Sequence, residues 1–178
     1  MKRTGTYGIM AEFDSIAELM AAAHRTREAG YTRTDAYSPF PVEGLAEAIG
    51  FTHNKVPLVV LIGGLIGGLT GYLMQYWISV VSYPVNVGGK PYHSWPSFIV
   101  VTFEMTILFA GISAVLGMLA LNGLPMPYHP VFNVPHFALA TKDKFFLIVF
   151  STDPKYSAVE TRRFMESLRP RSISEVPD

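Results

Sequence analysis

Two apolar stretches decide the fold of this chain: LVVLIGGLIGGLTGYLMQYWISVV at residues 58–81 and SFIVVTFEMTILFAGISAVLGMLAL at residues 97–121. The first holds 24 residues without a formal charge, and the second holds 25 residues with one charge, Glu104. A helix needs about 20 apolar residues to cross the roughly 30 Å hydrocarbon core of a bilayer. Both stretches exceed this length, so the sequence predicts a transmembrane helical hairpin within residues 51–125.

The segments that flank the hairpin, residues 1–50 and 126–178, each have a pattern of strand, helix and strand. The first flank begins with a predicted strand at 6–12. A helix follows, which Asp14 or Ser15 would cap and Gly30 would end, and a second strand is predicted at 31–38. In the second, the apolar run at 145–151 predicts a buried central strand. Asp153 and Pro154 would start a helix reaching Leu168, and a closing strand follows at 171–176.

Two such βαβ halves in one sheet would form a ferredoxin-like (split βαβ) cytoplasmic α/β domain. The membrane hairpin would be inserted at the junction of the two halves. Such an insertion is compatible with a single domain, because two spans return the chain to the side of the membrane from which it left. We also expect a short amphipathic helix at 42–49 and an edge strand at 136–141. The alternative is that the two flanks fold separately.

Composition limits the chemistry of the chain. The formal net charge is zero, so nothing indicates nucleic-acid binding. The chain has no cysteine, which excludes iron–sulfur ligation and covalent haem attachment by its own residues. None of its five histidines lies within the two apolar stretches, and the spacing of His129 and His136 is too loose to indicate a metal site. We therefore expect no metal and no cofactor in this chain.

Charge and aromatic residues predict the orientation in the membrane. The residues before the first span include six Lys and Arg and those after the second span include seven, whereas the segment between the spans carries only Lys90. The positive-inside rule therefore predicts that both termini are cytoplasmic. The N-terminus shows no apolar stretch typical of a cleaved signal, so the first span is expected to act as the insertion signal.

Near the turn, aromatic rings are expected to anchor the boundary between membrane and water: Tyr76, Trp77, Tyr83, Tyr92 and Trp95.

Glycines recur every four residues along the first span. They form overlapping GxxxG patterns at Gly63, Gly64, Gly67, Gly68 and Gly71. Small residues at this spacing allow a second helix backbone to approach closely. The second span offers Gly111, Ala114 and Gly117 or Ala110 for this contact, and a helix of another subunit is the alternative partner.

Glu104 is the only ionisable residue inside either span. A charged side chain at that depth costs at least a few kcal/mol, so we expect Glu104 to be neutral, paired or in contact with water. Its functional interpretation is a proton-relay carboxylate. The structural interpretation is a hydrogen bond to a neighbouring helix, which the absence of a second ionisable group in the spans favours.

Several motifs, taken in order, resemble one known family. They are SPFPVEGLAEAIG at 38–50, GYLMQYW at 71–77, VGGKPYHSWPSF at 87–98, FEMTILFAG at 103–111 and NGLPMPYHPVF at 122–132. These motifs resemble the D subunit of bacterial alternative complex III, a quinol:electron-acceptor oxidoreductase. The resemblance is good over roughly residues 38–155 and extends to the outer parts in pattern only.

The resemblance implies a two-span, cofactor-free subunit of the bacterial cytoplasmic membrane with a cytoplasmic α/β domain. Its implied partners are multi-span quinone-associated subunits, an iron–sulfur subunit and c-type haem subunits, which would hold the cofactors. It implies no catalytic residue in this chain, so the leading hypothesis is a non-catalytic role in assembly and stability. The alternatives are a direct role in proton movement through Glu104 and a free-standing, membrane-tethered binding or sensor module.

Overall fold

The computed structural model describes residues 5–178, which form two compact units. One unit combines the described residues up to His53 with Pro127–Asp178, and the other is Asn54–Met126. The chain therefore leaves the first unit once, forms the second, and then completes the first.

The first unit is built on a four-stranded antiparallel sheet. Its order is β2-β3-β1-β4, and each neighbouring pair is antiparallel. The central pair places Gly8 opposite Phe150 and Phe13 opposite Phe145. The strands are β1 (Thr6–Phe13), β2 (Thr34–Tyr37), β3 (Phe145–Phe150) and β4 (Ser172–Pro177).

Both faces of the sheet are covered, which explains the continuous apolar sequence of β3. One face of the sheet packs against two helices, α1 (Ile16–Glu28) and α5 (Ala158–Ser167). Alternate residues of β1 and β3 make the contacts on this face, and Leu19 and Met165 of the helices are fully buried. On the other face, Met10, Phe146 and Ile148 pack under two 3₁₀ segments, Pro130–Asn133 and Phe137–Thr141. A short helix, α2 (Leu45–Ala48), adds Leu45 and Ala48 to the first core.

The edge strand predicted at 136–141 is wrong, because this segment is the 3₁₀ helix Phe137–Thr141. The buried residues are Val131, Val134, Phe137 and Ala140, a period of three that matches a 3₁₀ helix. A strand would bury every second residue instead. His136 also adopts a left-handed conformation with φ 69°, which prevents an extended start.

Of the predicted capping residues, Ser15 is confirmed for the first helix, and Asp153 is wrong for the second. Ser15, one of the two candidates, accepts the Glu18 N–H at the start of α1, whereas Asp14 pairs with Lys144 and Arg171. The second helix starts at Ala158 with Ser157 as its cap, not after Asp153 and Pro154.

Asp153 instead holds three loop amides in place. Its buried carboxylate accepts the backbone N–H groups of Thr32 at 2.7 Å, Arg33 at 2.6 Å and Lys155 at 2.8 Å. Desolvation acts to raise the pKa of Asp153, but these donors outweigh it and hold the pKa below its ordinary value. Because the amides of Thr32 and Arg33 bind this carboxylate, β2 begins at Thr34 rather than at the predicted residue 31.

The second unit consists of two long helices, α3 (Val56–Tyr76) and α4 (Trp95–Leu121). The first continues as a π-helix over Trp77–Ser82, so the helical segment Val56–Ser82 has 27 residues, as has Trp95–Leu121. Both are long and apolar enough to cross a membrane, with mean hydropathies of 1.9 and 2.2.

We predict that Asp153→Ala lowers the free energy of unfolding of the first unit by roughly 2–4 kcal/mol, because it leaves three partly buried backbone amides without their acceptor. Urea denaturation of the full-length protein in detergent, followed by hydrogen exchange of the β3 amides, measures the change. The control is Asp143→Ala, which removes an exposed carboxylate from the neighbouring turn. Equal stability of the two variants would refute the role assigned to Asp153.

Candidate functional site: the faces of the helical hairpin

The glycines of α3 lie against α4 of the same chain. A Cβ atom on Gly67 would overlap the Met105 carbonyl oxygen and the Phe109 Cβ, and one on Gly63 would overlap the Ser113 hydroxyl. On Gly71 the added atom would stand 3.0 Å from the Met105 Cβ. The two backbones therefore approach so closely that even alanine does not fit at Gly67.

The two remaining glycines of the pattern lie beside this line of closest approach. A Cβ on Gly64 would meet the Ala110 Cβ at 3.6 Å, an ordinary contact, and one on Gly68 would stand 2.8 Å from the Thr106 hydroxyl. They border an apolar groove between α3 and α4. The Thr106 hydroxyl donates to the Thr102 carbonyl at 2.7 Å, which keeps this groove apolar.

Only some of the small residues of α4 that were expected to face α3 do so. Ala110 contacts the Gly64 position, and Gly117 lies close to Val59. Gly111 does not take part, because nothing lies within 4 Å of a Cβ built on it. Instead, Gly111 is exposed and lies in a shallow groove on the outer side of α4.

Gln75 forms a polar link between the helices that the sequence analysis missed. Its side-chain nitrogen lies 3.1 Å from the Gly71 carbonyl oxygen and 3.0 Å from that of Phe98 on α4. Hydrogen bonds between helices are valuable in a setting without water. The sequence signal that could have predicted this link is a single side-chain amide in an otherwise apolar stretch.

Rings near the turn pack against one another and against α3. Tyr72 and His93 form a hydrogen bond of 2.7 Å between the hydroxyl and Nε2, and the His93 ring stands edge-on to Tyr76 with 5.2 Å between centroids. Phe98 is buried beside them. All five rings expected at the boundary are exposed, and Tyr76 is the least exposed of them: Tyr76, Trp77, Tyr83, Tyr92 and Trp95.

Glu104 lies on the exposed side of α4. Among residues 5–178 it has no hydrogen-bond or ion-pair partner, and α3 contacts other residues of this helix. The helices α3 and α4 therefore supply neither a second carboxylate nor a Lys, Arg or His side chain with which Glu104 could exchange a proton.

Titratable side chains also lie close together in the first unit, on the face of the sheet that the two 3₁₀ segments cover. Asp35 is half-buried, and burial raises its pKa although the Ala36 amide at 2.8 Å and the charge of His129 act in the opposite direction. Burial and the neighbouring Asp35 raise the pKa of Tyr37. The Tyr7 hydroxyl lies 3.4 Å from His129 Nε2. Within residues 5–178, no three His, Cys, Asp or Glu side chains are grouped to hold a metal ion.

Comparison with known proteins identifies the family. The family described as "Alternative complex III, ActD subunit" matches residues 7–175, nearly the whole chain. No curated protein matches. The resemblance that the motifs carried is therefore confirmed, and it extends to the outer parts of the chain.

We predict that Gly64→Cys combined with Ala110→Cys forms an intramolecular disulfide under mild oxidation in membranes. The expected Cβ separation of 3.6 Å lies in the range of native disulfides. The natural chain has no cysteine, so non-reducing electrophoresis and mass spectrometry report this pair alone. The control pair, Gly64→Cys with Leu108→Cys, places one thiol on the outer side of α4. Equal yields from the two pairs would contradict the observed packing.

A pH dependence follows from Asp35. Because its pKa is raised in the folded state, the folded protein binds more protons than the unfolded one between the two pKa values. Its contribution to stability is therefore present at low pH and is lost as the pH rises through the folded-state pKa. We expect Asp35→Asn to remove this part of the pH dependence, measured as the difference in urea midpoint between wild type and variant from pH 4 to 7. A difference that is constant with pH would contradict the raised pKa.

Proposed function

This chain belongs to the ActD subunit family of alternative complex III, and we propose that it serves there as a non-catalytic, cofactor-free membrane subunit. Its role is to support the assembly and stability of a respiratory quinol:electron-acceptor oxidoreductase. The partner subunits hold the chemistry: multi-span quinone-associated subunits, an iron–sulfur subunit and c-type haem subunits.

The observation that carries this proposal is the distribution of side chains on the hairpin. Its inner faces are occupied by contacts between α3 and α4, whereas its outer faces expose large apolar side chains such as Leu65, Leu69, Phe103 and Leu108. Such a pair needs no partner to close its glycine face, and it offers lipid and neighbouring subunits a rigid apolar surface.

The proposal includes an architecture for the first unit. The sheet order β2-β3-β1-β4, with α1 after β1 and α5 after β3, is the order expected of a ferredoxin-like split βαβ domain. The hairpin is then an insertion between β2 and β3, with both ends of the chain in the cytoplasm. The bias of Lys and Arg toward the two flanks supports this orientation.

One residue favours a second candidate function, a direct part in proton movement. Glu104 is exposed on the outer side of α4, where a neighbouring subunit could complete a proton path. A free-standing binding or sensor module has less support, because members of this family are subunits of a larger complex.

The test introduces Gly67→Leu into the complex in its native membrane. The leucine overlaps the Met105 carbonyl, so we expect much less assembled complex, measured as c-type haem recovered after purification. The complex that does assemble should oxidise quinol at the wild-type rate per haem. The matched control is Thr70→Leu, which places the same leucine side chain at an exposed position of α3.

Two results would contradict the structural role. One is normal recovery of the Gly67→Leu complex, which would show that the hairpin packing is not needed. The other is normal recovery with a lower rate per haem, which would indicate a part in catalysis.

A further inference from the structure

The side of α4 that faces away from α3 differs in kind from the exposed side of α3. At 3.6 residues per turn, Glu104 and Gly111 lie on one side of α4 with their exposed neighbours Val100, Leu108 and Val115. The opposite side carries the residues that meet α3, which are Thr102, Met105, Thr106, Phe109, Ala110 and Ser113.

Glu104 is unsuited to contact with lipid. A carboxyl group surrounded by acyl chains loses its hydrogen bonds to water, which is unfavourable unless another donor or acceptor replaces them. Among residues 5–178 no side chain offers a replacement, because Glu104 points away from the only helix that packs on α4. The compensating group must therefore come from outside the part of the chain that the structure describes.

Gly111 lies about two helical turns further along the same side, roughly 10 Å from Glu104 along the axis. It forms the floor of a shallow apolar groove whose walls are Ile107, Leu108, Ile112 and Val115. The groove is wide enough for a bulky side chain, because nothing lies within 4 Å of a Cβ built on Gly111.

The exposed side of α3 has neither feature. It presents large aliphatic side chains at Leu58, Leu61, Leu65, Leu69 and Leu73, each close to 60% exposed. This composition suits lipid, so the two helices of the hairpin face different surroundings.

We propose that the outer side of α4 docks a transmembrane helix of another subunit of the complex. That helix carries a hydrogen-bond donor opposite Glu104 and a bulky apolar side chain that fills the groove over Gly111. The outer side of α3 faces lipid. This inference rests on the proposed function, since it requires the hairpin to lie in the membrane beside other subunits.

The experiment places the photo-cross-linker benzoylphenylalanine at Leu108 or at Leu65 and irradiates the complex in native membranes. The purified adducts are then identified by mass spectrometry. We expect the Leu108 probe to capture a transmembrane peptide of one other subunit, with a donor side chain within about two turns of the attachment point. We expect the Leu65 probe to capture lipid.

Substitutions test the two contacts separately, with retention of this chain on the detergent-purified complex as the measurement. Glu104→Leu removes the acceptor and should lower retention roughly three- to tenfold. Glu104→Gln keeps a carbonyl acceptor and should retain most of the chain. Gly111→Leu fills the groove and should also lower retention, whereas Thr70→Leu on α3 should not.

The outcomes are distinguishable. Lipid adducts alone at Leu108, capture of a second copy of this chain, or full retention of Glu104→Leu would overturn the docking surface and leave the proposed function intact. Failure of the wild-type chain to purify with any haem-containing subunit would overturn both.

Discussion

The close approach of the α3 and α4 backbones at Gly67 is the constraint on which this account depends. The Met105 carbonyl occupies the space that a side chain at Gly67 would need, and the Ser113 hydroxyl does the same at Gly63. In lipid, apolar side chains gain little by leaving their surroundings, so helix pairs are held by van der Waals contact and interhelical hydrogen bonds. The glycines supply the first, and Gln75 supplies the second by bonding to the Phe98 carbonyl.

The packing of α3 against α4 within one chain has a functional consequence. The glycine side of α3 is covered by α4 of the same chain, and the outer sides of both helices are exposed. This property fits a member of a family of complex subunits. Two carboxylates outside the hairpin make structural contacts: Asp153 binds loop amides, and Asp14 pairs with Lys144 and Arg171.

Much of the fold could be predicted because its signals are local. Length and hydropathy indicated both long helices, and the apolar run at 145–151 indicated the central strand β3. The failures came from contacts between distant residues. Nothing near residue 31 shows that two amides there bind Asp153, and nothing near Asp14 shows that Lys144 and Arg171 compete for its carboxylate. The segment 136–141 was predicted as an edge strand, whereas its buried residues, Phe137 and Ala140, are three apart as in a 3₁₀ helix.

The hairpin shows the same division between local and distant signals. The spacing of the glycines indicated a packing face, but it did not distinguish α4 from a helix of another subunit. The role of Gly111 depended on which side of α4 meets α3, and this is fixed by contacts far along the chain. Gln75 escaped notice because one amide among apolar residues carries no periodic signal.

The most direct test of the central claim is a cryo-electron microscopy map of the intact complex at side-chain resolution. We expect α3 and α4 of this chain to lie in direct contact, with Gly67 against the Met105 carbonyl and no helix of another subunit between them. A map in which a foreign helix occupies the glycine face of α3, with α4 displaced from it, would contradict the account.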